Sequence, residues 1–278
     1  MTDAYLREKP TVSYVQPEDP WLVRVVVSSL EVALGRRRVE TIYHELKDEI
    51  RPFSSAEFFL GCLNKSGIQL DYPEAQLAQI PDAGPLVFVA NHPYGVIDGI
   101  ILCHLALKAR GDFKILINAL LCQDEDLEPH FLPIDFAETK TALRNNIRSK
   151  RMALEALNAD IPVLIFPSGM VSTANRLGWG SATDGPWTTF AAKLIRDAEA
   201  CVVPVYFFGE NSRAFHVASH ISEPLRMSLL IHEARKKFGS SIKLNIGDPI
   251  LWPELSTYPH RQALTDYLYD QVQAAGAK

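Results

Sequence analysis

The residues of this 278-residue chain best suited to acid–base chemistry are His92 and Asp98. They sit in the run Val87-Phe-Val-Ala-Asn-His-Pro-Tyr-Gly-Val-Ile-Asp98-Gly99. An apolar strand signal delivers the histidine, and the aspartate opens a second apolar run. Pro93 and Gly95 break the chain between them, so the spacing predicts a tight turn at a strand's carboxyl end, the edge where ligands collect in open α/β sheets. A histidine backed by a carboxylate is the minimal general-base device. The carboxylate fixes the tautomer and stabilises the imidazolium, while the free ring nitrogen takes a proton from a hydroxyl. No serine or cysteine shares the turn, which points to direct transfer to an outside hydroxyl. Asp98 also suits the N-cap of a helix starting Gly-Ile-Ile-Leu. The two roles are compatible, because a capping rotamer is a fixed one.

Three further constellations could contribute. Val163-Leu-Ile-Phe-Pro-Ser-Gly-Met-Val-Ser172 is an apolar strand ending in Pro167-Ser168-Gly169, a turn whose backbone N–H groups could cradle an anion. It lacks the G-x-S-x-G pattern of a nucleophile elbow, which argues against Ser168 as nucleophile. Val202-Val-Pro-Val-Tyr-Phe-Phe-Gly-Glu-Asn-Ser212 is a strand signal in which Pro204 predicts an edge or a bulge, with Glu210, Asn211 and Ser212 at its end. Lys140, Arg144, Arg148 and Arg151 share one helical face. They form either a solvated charged face or a site for a phosphate head group or acidic lipid. Metal and dinucleotide motifs are absent, and His216, His220 and His232 read as structural or exposed.

These residues need a scaffold, and the periodicity predicts one. Strands are expected at Leu86–Ala90, Phe113–Leu121, Ile161–Phe166, Cys201–Phe208 and Ile242–Ile246. Helices are expected at Pro52–Gly67, Gly99–Arg110, Thr139–Asn158, Trp187–Ala198, Leu225–Phe238 and Leu255–Ala274. Apolar β-branched runs alternating with helices imply an α/β fold: a mostly parallel central sheet flanked by helices. Residues 1–20, with Pro10, Pro17 and Pro20, read as a flexible arm. Residues 21–80 read as an N-terminal helical segment, amphipathic from Trp21 to about Leu46. Its apolar face and Arg36-Arg37-Arg38 could rest on an anionic bilayer or pack on the main domain. Residues 81–278 form the α/β domain.

The net charge of −5 argues against a bulk nucleic-acid binder. Cys62, Cys103, Cys122 and Cys201 are widely spaced, as expected of reduced thiols in the cytoplasm. No signal-peptide layout and no apolar run of about 18 residues is present, so the expected location is cytoplasmic, peripheral on the inner face of the cell membrane.

Taken together, four blocks resemble the glycerolphosphate and lysophosphatidic-acid acyltransferase (lysophospholipid acyltransferase) superfamily. They are Asn91-His92 with Asp98, Leu132-Pro-Ile-Asp135, Phe166-Pro-Ser-Gly169 and Val203-Pro-Val205, in the family's order over about residues 85–250. The likeness is strongest to a bacterial branch of hemolysin-like and ornithine-lipid-type acyltransferases, which carries Asn-His-Pro-x-Gly-Gly-x-Asp-Gly and Phe-Pro-Ala-Gly-Glu-Val-Ser. The resemblance implies O-acyl transfer from acyl-CoA or an acyl carrier protein to a lysolipid hydroxyl at a membrane surface, with no cofactor and no metal. It makes His92 and Asp98 the catalytic pair. Asn91, Gly95, Pro167, Ser168, Gly169 and Arg144 are the candidate substrate-binding residues. Backbone donors near the strand ends would hold the oxyanion.

This chain departs from the pattern in three places. Five residues separate His92 from Asp98 where the main family has four. Phe136 stands where many relatives have a phosphate-contacting arginine. The Phe166–Met170 turn lacks the glutamate found at position 168 in the main family and at 170 in the branch. The last two changes remove head-group contacts. Other readings of the same fold are a catalytically inactive lipid-binding module and a thioesterase or ester hydrolase.

Overall fold

The computed structural model describes residues 35–119, 122, 124–135, 139–221 and 223–277, with the isolated positions Trp21, Arg24, Val25, Ser29 and Val32. The arm expected at 1–20 and most of the amphipathic stretch 21–34 lie outside the described residues. Helices α1 (Arg36–Glu49) and α2 (Ser55–Ser66) come first. The Ser54 hydroxyl caps α2 by accepting from the Glu57 N–H, and Gly67 ends it in a left-handed conformation. Strand β1 (Gln69–Asp71) and the single turn α3 (Glu74–Leu77) lead to β2 (Leu86–Ala90), α4 (Val96–Arg110) and β3 (Lys114–Asn118). After β4 (Phe131–Ile134), α5 (Lys140–Asn158) is capped by Thr139, and β5 (Val163–Ile165), α6 (Phe190–Ala198) and β6 (Cys201–Phe207) follow. The chain closes with α7 (Arg213–Ser219), α8 (Glu223–Lys236), β7 (Ser241–Ile246), α9 (Trp252–Leu255) and α10 (Arg261–Ala277).

The strands form one seven-stranded sheet in the order β1-β7-β6-β2-β5-β3-β4. The run from β6 to β4 is parallel, while β7 is antiparallel to β6 and carries β1 parallel to itself. Residues of β2 alternate between two cores. Leu86, Phe88 and Ala90 face the layer holding α2 and α4, and Val87 and Val89 face the layer holding α5, α6 and α10. Every β2 residue is buried, as expected for a strand covered on both faces.

The connection out of β2 runs through α4 on one face, and the connection out of β5 runs through α6 on the other. Adjacent strands that send their chains to opposite faces leave a crevice at their carboxyl ends, the topological switch point of α/β sheets. His92 and Phe166, which follow β2 and β5, meet there.

Several expectations change. Residues 21–80 are not only helical, because β1 adds an edge strand to the sheet. Strand β3 stops at Asn118, and β4 and α7 form where no element was expected. Helix α4 begins at Val96, so Asp98 is its third residue and Gly95 its N-cap. Pro204 lies in an interior strand, so of the edge or bulge expected there the edge is excluded, and the antiparallel register shifts by one residue between Val205–Ile246 and the Val202–Ile250 bridge. The β6–β7 ladder ends at Val205–Ile246, and Pro204 turns its missing donor toward the departing chain, where its carbonyl accepts from the Gly247 N–H. No ladder bond is therefore lost. Residues of α1 pack on the domain through Ile42 and Leu46, and Arg36 pairs with Glu40 at 3.2 Å.

Candidate active site

The turn 91–98 is built around one carboxylate oxygen. Asp98 is fully buried, and its Oδ2 accepts from the backbone N–H groups of Tyr94 at 2.7 Å and Gly95 at 2.9 Å. It also meets Nδ1 of His92 at 3.1 Å. Capping and orientation are thus one arrangement, because the carboxylate that holds the start of α4 also holds the imidazole. Gly95 makes this possible with φ +82, a left-handed value. A Cβ there would lie 3.0 Å from Leu230 and 3.1 Å from Val171.

Burial pushes the Asp98 carboxyl above its ordinary range, and the hydrogen bonds from His92, Tyr94 and Gly95 pull it back in part. An ionised carboxylate only accepts, so Nδ1 of His92 is the donor. The lone pair is then on Nε2, which makes no hydrogen bond among the described residues. The ring lies flat on Phe166, with centroids 3.9 Å apart and planes 24° apart. The His92 side chain keeps 17% exposure, so a substrate can reach it.

A second carboxylate fixes the histidine backbone. Asp184 Oδ1 accepts from the His92 N–H at 3.2 Å and from the Ser172 hydroxyl, and its Oδ2 accepts from the Trp187 indole at 2.9 Å. The Ser172 N–H in turn donates to the His92 carbonyl at 2.8 Å. Asp184, Ser172 and Trp187 were not among the expected site residues. They lie 80 or more positions from His92, and no spacing signal connects them. Tyr94 is anchored by its hydroxyl, which donates to the Phe208 carbonyl at 2.6 Å. Lys237 sits 4.4 Å from that ring's centre.

The structure brings together His92, Asp98, Gly95, Pro167, Ser168 and Gly169, but gives several of them other work than expected. Asn91 spends both polar atoms on β6: its amide donates to the Phe207 carbonyl at 2.9 Å and its oxygen accepts from the Phe207 N–H at 2.7 Å. It ties the two strand ends together. The Pro167–Gly169 turn is closed on itself. The Gly169 N–H goes to the Phe166 carbonyl, the Ser168 hydroxyl donates to the Met170 carbonyl at 2.8 Å, and the Met170 N–H approaches the same hydroxyl. Those two amides are therefore taken, and Ser168 is an internal brace. Arg144 is exposed on α5, and among the described residues no hydrogen bond or ion pair connects it to the turn. His216 and His220 clamp the backbone of Ala174, the N–H and the carbonyl respectively, as structural histidines.

Nucleophilic cysteine chemistry is disfavoured throughout. Burial raises the thiols of Cys62 and Cys122 to about 12 and that of Cys201 to about 11, and pushes Cys103 well up. The thiolate is the reactive form.

An open apolar groove of about 460 Å³ is lined by residues including Leu177, Val217, Ile221 and Leu229. Leu229 also packs with Val171 and Leu230, the two residues that close over Gly95.

A family model described as Acyltransferase matches residues 28–266. The chain is 28% identical to a lyso-glycine lipid O-acyltransferase of Phocaeicola vulgatus, over 84% of this chain and 81% of the relative. It is 27% identical to a protein of the same name from Bacteroides thetaiotaomicron, over 97% and 95% of the two chains. The crystal structure of the 1-acyl-sn-glycerophosphate acyltransferase of Thermotoga maritima has the same fold, with a TM-score of 0.54 at 14% identity, covering 92% of this chain and 97% of that one. The strand-end blocks, the sheet and the match across most of the chain agree: this protein belongs to the acyltransferase family, within the lysophospholipid acyltransferase superfamily.

Proposed function

We propose that the protein is an O-acyltransferase that moves a fatty acyl group from the thioester of CoA or acyl carrier protein to the hydroxyl of a lysolipid. The observation that carries this reading is the His92–Asp98 pair at the switch point, with Nδ1 held and Nε2 free. Nε2 of His92 takes the proton of the lipid hydroxyl as the oxygen attacks the thioester carbonyl carbon. The tetrahedral intermediate collapses with cleavage of the C–S bond, and the imidazolium returns the proton to the leaving thiolate. Products are the acyl ester and the free thiol, with no acyl-enzyme. Asp98 acts through His92, stabilising the imidazolium and keeping the tautomer. The thioester supplies the chemistry, so no further cofactor is needed.

The names of the two relatives support a lysolipid of the amino-acid type as acceptor. That choice fits a site whose usual phosphate-reading residues are replaced. The groove that Leu229 lines offers apolar surface for an acyl chain, and Leu229 packs in turn with Val171 and Leu230. Contact with a membrane would suit such a substrate, and α5 supports it. Leu143 and Ile147 are each 61% exposed beside the exposed Lys140, Arg144, Arg148 and Arg151. Trp21 is exposed as well, and no described helix is long and apolar enough to cross a bilayer.

The test is an assay of the purified protein with acyl-CoA or acyl carrier protein and a panel of hydroxyl-bearing lysolipids, with lipid products read by mass spectrometry. An acylated lipid is the expected product. Thioester loss without it marks a hydrolase, and no turnover with any pair marks a binding module.

A further inference from the structure

Arg226 lies on α8 one helical turn before Leu230, so the two share a face. Leu230 is one of the two side chains that close over Gly95 in the catalytic turn, and Val171 is the other. The residue before Val171 is Met170, and Nη1 of Arg226 lies 3.8 Å from its sulfur. The guanidinium thus lies beside Met170, on the segment that follows β5, one helical turn from the side chain that closes over the turn carrying His92. Met170 occupies the position where the bacterial branch described above carries a glutamate, and it is 46% exposed. The rim is open there.

Among the described residues, no anion faces the arginine. Its Nε is buried without a hydrogen-bond partner, and no carboxylate pairs with it among the described residues. The acids around the site are engaged elsewhere: Asp98 and Asp184 on the turn, Glu210 on the Ala182 N–H, and Glu233 on the hydroxyl and N–H of Ser212. A guanidinium stays charged at all working pH values, and a thioether is too weak an acceptor to compensate it. A half-buried cation in this state is stabilised by whatever anion arrives with the substrate.

We propose that Arg226 reads an anionic group on the acceptor's head, a carboxylate or a phosphate, while the acceptor hydroxyl lies at His92. The inference rests on the acyltransferase reading and makes Arg226 a specificity-determining residue. The planar fork accepts either oxyanion through paired N–H bonds. It would supply in a new place the head-group contact that Phe136 and Met170 no longer offer.

The experiment uses three acceptors of equal chain length: an N-(3-hydroxyacyl)glycine, its methyl ester, and a lysophosphatidate. In Arg226→Met, KM for at least one anionic acceptor should rise roughly ten- to a hundredfold. Its kcat should stay within about threefold, kinetics on the methyl ester should be unchanged, and Arg226→Lys should recover part of the loss. A carboxylate-only or phosphate-only effect identifies the group. Equal effects on the free acid and its ester, or no effect on any acceptor, overturn the proposal. The same lipids are also titrated by calorimetry into His92→Ala with and without Arg226→Met, a readout independent of turnover. Selective weakening of anionic binding supports the site even if no acceptor is acylated, in which case the acyltransferase reading fails alone. Unchanged binding, or no saturable binding of either anion, overturns the head-group site.

Discussion

Asp98→Asn separates catalysis from folding at this site. The carboxamide oxygen takes the place of Oδ2 and keeps the donors from Tyr94, Gly95 and His92. The amide nitrogen takes the place of Oδ1, which is buried with no partner and so sets no donor or acceptor requirement. Orphaning that nitrogen costs about 1–3 kcal/mol. Against this stands the removal of a buried charge. An acid whose folded pKa is raised loses stability as pH climbs through its unfolded value of about 3.9, and the loss is complete above the folded pKa. Asn carries no such penalty, so the two effects oppose each other at neutral pH. The unfolding midpoint of Asp98→Asn should stay close to wild type and compare better with it at pH 7 than at pH 4. Asp98→Ala instead leaves two buried backbone donors without an acceptor, which costs about 2–6 kcal/mol together. In both variants the imidazolium loses its counter-charge, so kcat should fall about a hundred- to ten-thousandfold. The assay is thiol release from acyl-CoA in the presence of lysolipid, paired with urea titrations of each variant. An Asp98→Asn protein that is folded and within about tenfold of wild-type kcat refutes the role given to the carboxylate.

Other outcomes follow from single contacts. Gly209 has φ +103, and a Cβ there would lie 1.9 Å from the Tyr94 hydroxyl. Gly209→Ala should therefore displace Tyr94, lowering the thermal midpoint and kcat together. Asn91→Ala breaks both links to Phe207 and should cost about 1–3 kcal/mol or more in a denaturant titration, with KM for lipids unchanged in the folded fraction. Val217→Trp narrows the groove, and competition between acyl chains should shift preference toward shorter ones. On α5, Leu143→Ser with Ile147→Ser and Arg148→Glu should weaken co-sedimentation with phosphatidylglycerol vesicles at least severalfold, at about 1 kcal/mol per basic residue, with activity on dispersed monomeric lipid retained.

The strand that delivers His92 was legible because its signals are local: an unbroken apolar run, then Pro93 and Gly95. The α/β class followed from the same alternation of apolar strands and helices. What escaped has a common cause in long-range pairing. Asp184 meets the His92 backbone from 92 positions away, and nothing in its own neighbourhood marks it. Asn91 looked like a ligand contact, but its amide is absorbed by a strand partner more than a hundred residues distant. Strand β1 is three residues long and exists through its ladder with β7. Pro204 signalled an edge or a bulge, and only the pairing with the chain after β7, which shifts by one residue opposite it, decides between them. Arg226 carried no motif at all, and its place beside Met170 depends on how α8 packs.

Direct transfer through His92 is tested most plainly by following thiol release and acyl-lipid formation together in wild type and His92→Ala. Wild type should yield thiol and acylated lipid in equal amounts, and His92→Ala should lose both while remaining folded. Thiol release without acylated lipid, or a His92→Ala enzyme that still acylates its acceptor at the wild-type rate, would contradict the assignment of His92 as the base that activates the lipid hydroxyl.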